Sequence, residues 1–186
     1  QNVNNKYYIT NYVYNRAVEA VNLNGDTSRT WRLNSEGSTN GDFITVQDLD
    51  SNRGVVYSNY RSGGTNRIIA YHSWDDFEDA DRNTNAPNII MTGSLDGNVS
   101  AIKVSPYTTD SSTIFVGTES GSVFKVTNAD TADANDNSTA NWSNITGGQF
   151  LGSVSDIEFG KDENHLFVTF HNYGVENIFY SEDGGQ

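Results

Sequence analysis

Two thirty-residue stretches constrain this chain more than anything else in it. "VSAIKVSPYTTDSSTIFVGTESGSVFKVTN", beginning at Val99, aligns without a gap on "VSDIEFGKDENHLFVTFHNYGVENIFYSED", beginning at Val154, so each residue maps 55 positions on. A fainter copy, "DFITVQDLDSNRGVVYSNYRSGGTNRIIAYHSW", lays Ile44 over Ile102 and Val46 over Val104 at an offset of 58. Each copy holds three short runs rich in Val, Ile, Phe and Tyr, cut by clusters of Gly, Asn, Asp and Ser. A variable stretch and a fourth run follow, "NIIMTGS" in one copy and "NWSNITG" in the next. Runs of this length and composition are strands. Nowhere do apolar residues keep the i, i+3, i+4, i+7 spacing over a dozen residues, so almost no helix is expected. Four strands per period, in a unit of about 40 to 50 residues lengthened by insertions, describe the blade of a β-propeller. Solenoid repeats are shorter or helical, and immunoglobulin-like sandwiches do not repeat at this interval.

The expected strands are 7–14, 43–49, 54–60, 67–74, 88–94, 99–105, 113–119, 122–128, 154–160, 165–171 and 176–182. They divide a single all-β domain, a partial propeller over residues 1–186, into units of about 1–37, 38–97, 98–147 and 148–186. The first unit opens at "YYITNYVY" with no strand expected before it, and the last stops after its third strand. A propeller needs a closed ring to leave no inner edge unpaired. The expectation is therefore about four incomplete blades, either part of a longer propeller or closed by a second copy in a two-fold dimer.

A formal charge of −13 and a pI near 4.3 argue against nucleic acid and anionic membranes as partners, since both are bound through clustered Lys and Arg. No apolar run reaches the roughly 18 residues of a membrane span. With no cysteine in the chain, disulfides, thiolate nucleophiles and Cys-type zinc sites are excluded.

The tract "SEDGGQ" carries Ser181, Asp183 and Gly185 at the spacing Ser-x-Asp-x-Gly. A degenerate version, "NGDTSRTW", spans 24–31, and a poorer one ends at "STANW", 138–142. These tracts resemble the Asp-box of BNR-repeat propellers, Ser-x-Asp-x-Gly-x-x-Trp, most specifically over residues 95–186. The family includes exported bacterial proteins labelled glycosyl-hydrolase-like, sialidases, xyloglucanases and sortilin-type receptors. The resemblance implies a secreted or cell-surface bacterial protein. It also implies a structural role for the box: Ser and Asp satisfy turn amides, Gly supplies positive φ, and Trp packs between strands. Asp-Gly is a strong hairpin signal in its own right, which makes Asp183 a turn residue and not a catalytic acid.

The candidate chemistry is sparse. His72, His171 and Asp156 are the catalytic candidates, with His72 beside the acidic tract "SWDDFEDADRN". His165 and His171 flank one expected strand, and about 3.3 Å per residue puts them too far apart to share a metal. Asp79, Asp81, Asn83 and Asn85 space oxygen ligands at every second residue, as calcium loops do. Thr84 stands where an EF-hand has Gly and Ile90 where it has Glu, so a solvated loop competes with a site for calcium or another divalent cation. A second acidic tract, "NADTADANDN", reads as a surface loop. No nucleophile elbow, H-E-x-x-H, P-loop or dinucleotide fingerprint occurs. A sialidase-like arginine cluster or a paired-aspartate site would draw on scattered Arg residues or on Asp42, Asp48 and Asp156, and no spacing selects among them.

Two functions compete. One is a propeller module with no required cofactor that binds glycan or protein, with Tyr71, Trp74, Tyr107 and Tyr173 as stacking rings. The other is a metal-dependent hydrolase of glycosides or phosphoesters sited at a propeller face or dimer interface.

Overall fold

A computed structural model describes residues 2–3, 6–11, 15–21, 27–35, 44–72, 88–91, 93–132, 140–148 and 150–186, the first four ranges by their backbone alone. The chain is all-β. The described residues form four antiparallel meanders, and the one helical element is a single 3-10 turn, Ala129–Thr131. Sheet A contains β1 (Asn2–Val3), β2 (Lys6–Asn11), β3 (Asn15–Val21) and β4 (Thr27–Ser35). Sheet B contains β5 (Gln47–Asp50), β6 (Val55–Ser62), β7 (Thr65–His72) and β8 (Asn88–Met91). Sheet C contains β9 (Val99–Val104), β10 (Ile114–Thr118), β11 (Val123–Thr127) and β12 (Asn141–Asn144), and sheet D contains β13 (Ser153–Phe159), β14 (Leu166–His171) and β15 (Ile178–Ser181).

Sheet A corrects the expectation that nothing precedes "YYITNYVY": Val3 pairs with Lys6 and Asn2 with Tyr7. Its strands β3 and β4 fall on "NRAVEAV" and "TSRTWRLNS", where no strand is expected. They are set by pairing with their neighbours in the meander.

Side-chain alternation turns sheets B, C and D into a face-to-face stack. Along β10 every residue is buried, and successive side chains leave opposite faces. Ile114 and Val116 enter a cluster with Val55, Tyr57, Ile68 and Ala70 of sheet B. Phe115 enters a second cluster with Val154, Ile157, Leu166 and Val168 of sheet D. Sheet C is thus covered on both faces, which explains the unbroken apolar run "TIFVG" at its centre. Gly117 permits the close approach of sheets C and D, since a Cβ there would overlap the Val154 side chain.

The first strands of the three sheets lie side by side, with β9 packed against both β5 and β13. Equivalent positions of the repeat meet there. Lys103 and Glu158, 55 apart, form an ion pair at 2.6 Å, and Thr108 donates to Glu163, also 55 apart, at 2.5 Å. Copies related by rotation about a common line bring like positions together in this way, as propeller blades do around their axis.

Glu163 fastens sheet D to sheet C by accepting from Ser105 Oγ, Thr108 Oγ1 and Lys125 Nζ. Partial burial pushes its carboxyl up, yet the three donors outweigh burial and hold it below the usual 4.5. A carboxyl depressed on folding contributes stability above its unfolded value and loses it as pH falls through its folded value. Glu163→Gln is therefore expected to lower stability at pH 7 and to flatten the loss below about pH 4.5. Urea midpoints measured at neutral pH and at roughly pH 3.5 check this; parallel acid limbs in the two proteins would contradict it.

Candidate functional site

Three polar or concave features stand out among the described residues. The first is the strip along the inner strands, where Lys103 of β9 faces Glu158 and has Asp48 of β5 and Asp156 of β13 nearby. Burial pulls the Lys103 ammonium down, but the Glu158 hydrogen bond and the surrounding carboxylates outweigh it and leave it raised. Asp48 also accepts from the Val104 amide at 2.8 Å, so it tethers sheet B to sheet C. Asp156 is exposed, and its Oδ1 accepts from the Ile157 amide.

The second feature joins sheets B and C at one rim. Asp50, 3% exposed, accepts from the Asn52 and Arg53 amides through Oδ1 and from the Ser112 hydroxyl through Oδ2 at 2.6 Å. Ser112 donates its amide to Asp130 Oδ1 at 2.6 Å, and Arg53 reaches Asp130 and the Thr109 carbonyl. The buried Tyr57 hydroxyl lies beside this group without a well-aligned hydrogen bond, and burial pushes its pKa far up. The arrangement is a latch between sheets, with its acceptors occupied by protein donors.

The third feature is a cleft of about 480 Å³ between the outer strands of sheets C and D. Val123, Ile145 and Phe150 line one side, and Leu166, Val168 and Phe179 line the other. Two of its lining rings pack together: Phe150 lies on Phe179, and also on Phe170 behind the lining, with ring centroids 4.7 Å apart in each case. The turn 181–186 forms its rim. Ser181 Oγ donates to Asp183 Oδ1 at 2.8 Å and accepts from the Gly185 amide at 2.8 Å, while Asp183 Oδ1 accepts from the Gly185 and Gln186 amides. The Ser181 hydroxyl, with those amides, holds the Asp183 carboxyl below its usual range. Gly184 and Gly185 have φ of 77° and 87°, a conformation that disfavours any other residue. These are structural roles for Ser181, Asp183 and Gly185, and they also place the Glu182 and Asp183 carboxylates at the mouth of the cleft.

The remaining candidates are scattered. His72 ends β7 on sheet B, while His171 ends β14 on sheet D opposite Ser153. Sheet C lies between them, so the two imidazoles do not share a site. The His72 Nε2 is shielded and makes no hydrogen bond, and burial lowers its pKa against the pull of Asp130. His165 lies at the other end of β14 from His171, with Nδ1 2.6 Å from Asp162 Oδ1.

Tyr71 is fully buried, which corrects its reading as a stacking ring: it lies in a run of β7, 68–71, in which every residue is buried, so both faces of the strand are covered there. Tyr107 is pinned by a hydrogen bond to the Gly160 carbonyl and stands edge-on to Phe159. Tyr173 is 98% exposed. Trp74 and the oxygen-ligand tract Asp79, Asp81, Asn83 and Asn85 lie outside the described residues. Among the described residues, no three His, Asp or Glu side chains are disposed to hold a metal ion, and no helix is long and apolar enough to cross a membrane.

Sequence reasoning missed the cleft, because Ile145, Phe150, Leu166 and Phe179 come from four separate tracts. The available signal was the aromatic pattern "FHN…IFY" beside the "SEDGG" turn. Neither family models nor curated proteins match the chain.

Proposed function

We propose that the chain is a binding module for a protein ligand, seated in the cleft between sheets C and D. The observation that carries this reading is a cleft of about 480 Å³ lined by the apolar Val123, Ile145, Phe150, Leu166, Val168 and Phe179 together with the polar turn 181–186. The six apolar lining residues suit an inserted apolar side chain, whose burial yields about 25 cal/mol per Å² of apolar surface. A sugar would need open ring faces to stack on. Phe150 and Phe179 instead give edges and faces to one another and to Phe170. Protein ligands are thus favoured over glycans.

The test is an NMR titration of methyl-labelled protein with N-acetyl-tryptophanamide and, in parallel, with cello- and chito-oligosaccharides. The indole compound is expected to shift the methyls of Ile145, Leu166 and Val168 in a saturable way, and the sugars are expected to leave them unmoved. Shifts produced only by a sugar would favour a glycan ligand. No saturable shift at the cleft with any ligand would remove the reading.

A further inference from the structure

We infer that His72 is an acid-sensitive catch on the seam between sheets B and C: the seam is held closed while the imidazole is neutral and opens at this rim when the imidazole takes a proton.

Strand register puts the ring at the seam. His72 lies opposite Val55, and Ala70, two residues before it on β7, lies opposite Tyr57. Directly paired residues, and residues two apart along a strand, share one face of a sheet. Val55, Tyr57 and Ala70 belong to the cluster that joins sheets B and C, so His72 stands on the face of sheet B that meets sheet C. It is also the last residue of β7, at the end of the sheet where the turn 51–54 and the 3-10 turn Ala129–Thr131 complete the latch.

The carboxylates of the latch are already engaged. Asp50 takes the Asn52 and Arg53 amides and the Ser112 hydroxyl, while Asp130 takes the Ser112 amide and faces the Arg53 guanidinium. His72 Nε2 is shielded from solvent without a hydrogen-bond partner. The charged group acting on it is Asp130, which also acts on Tyr57 together with Asp50 and Arg53. Tyr57 itself stays uncharged, because burial pushes its hydroxyl far above the neutral range. On β7 the other charged residue is Arg67, nearer the opposite end of the strand. Asp75 and Asp76, which follow His72 in the sequence, lie outside the described residues.

Solvation sets the sign of the response. An imidazolium donates from both ring nitrogens, and a shielded Nε2 offers its proton neither an acceptor nor water. Burial accordingly holds the His72 pKa below its usual 6.5, against the pull of Asp130. A histidine whose folded pKa is lowered stabilises the folded form fully above its unfolded value, and that contribution is lost as pH falls from there toward the folded value. Opening the rim lets water reach the ring, so each pH unit in this window favours the open form by up to about tenfold. The window begins well above the usual 4.5 of Glu163, the other group whose titration bears on a seam.

The test is an NMR titration of the intact, nitrogen-labelled chain from about pH 8 to about pH 5, following the His72 ring nitrogens and the Ser112 amide. His72 is expected to titrate with a midpoint below 6.5, and the Ser112 amide, which donates to Asp130, is expected to move with the same midpoint. The protection of that amide against exchange should fall about threefold or more between roughly pH 7 and pH 5.5. His72→Gln, which keeps a polar side chain that does not titrate, should abolish the Ser112 response. His171→Gln, on sheet D, should leave it in place. A His72 midpoint at or above 6.5, as carboxylates closing on an imidazolium would produce, overturns the inference. So does a Ser112 amide that ignores the His72 titration, or a Ser112 response retained in His72→Gln, which would assign the effect to Asp50 or Asp130. If His72→Gln does not fold, the two midpoints in the unsubstituted chain decide between these outcomes.

Discussion

Asp50→Ala should destabilise the chain by about 3 kcal/mol, because it strands the Ser112 hydroxyl and the Asn52 and Arg53 amides that converge on one buried carboxylate. Each buried donor left without a partner costs about 1 to 3 kcal/mol, and partial rescue by water at the rim keeps the sum near the lower end. Asp50→Asn keeps an acceptor for the two turn amides and should cost about half as much. Urea midpoints at constant m-value measure both. A loss below about 1 kcal/mol for Asp50→Ala would mean that the latch between sheets B and C contributes little.

Gly117→Ala is the second large effect. A methyl at this position would overlap Val154, and Gly117 lies on a strand enclosed by sheets B and D, so neither sheet can yield freely. Overpacking of this kind costs about 1 to 3 kcal/mol. Val154→Ala alone should also destabilise, by leaving a void among Phe115, Ile157 and Phe170. The double substitution is expected to cost less than the two single losses added together, because each relieves the other's defect, with a coupling of about 1 kcal/mol or more. Strict additivity would contradict direct stacking of β10 on β13.

The buried half of the architecture was legible in the sequence because alternation and burial leave a mark there. The expected strands at 99–105, 113–119, 122–128, 154–160 and 165–171 lie within a residue or so of β9, β10, β11, β13 and β14. Strands β3 and β4 left little trace, since "NRAVEAV" takes half of its apolar residues from Ala, and "TSRTWRLNS" is mostly polar. The gapless repeat also slips by a face in its second strand. It sets Phe115 over Phe170, yet Phe115 points to the following sheet and Phe170 to the preceding one. Turn lengths absorb the difference, and a one-residue change in register turns every side chain to the other face. Sites were harder to see. The nearness of Asp156 to Lys103 and Asp48 depends on three strands meeting, and the burial of Tyr71 depends on both faces of β7 being covered. A single sequence carries neither relation.

A binding cleft between sheets C and D is the central claim, and an isotope-filtered NOE experiment on labelled protein with unlabelled N-acetyl-tryptophanamide tests it most directly. Contacts from the indole to the Leu166 and Val168 methyls and to the Phe179 ring are predicted. Contacts confined to the exposed Phe167 and Tyr180 rings, or to the loop at Tyr173, would contradict it.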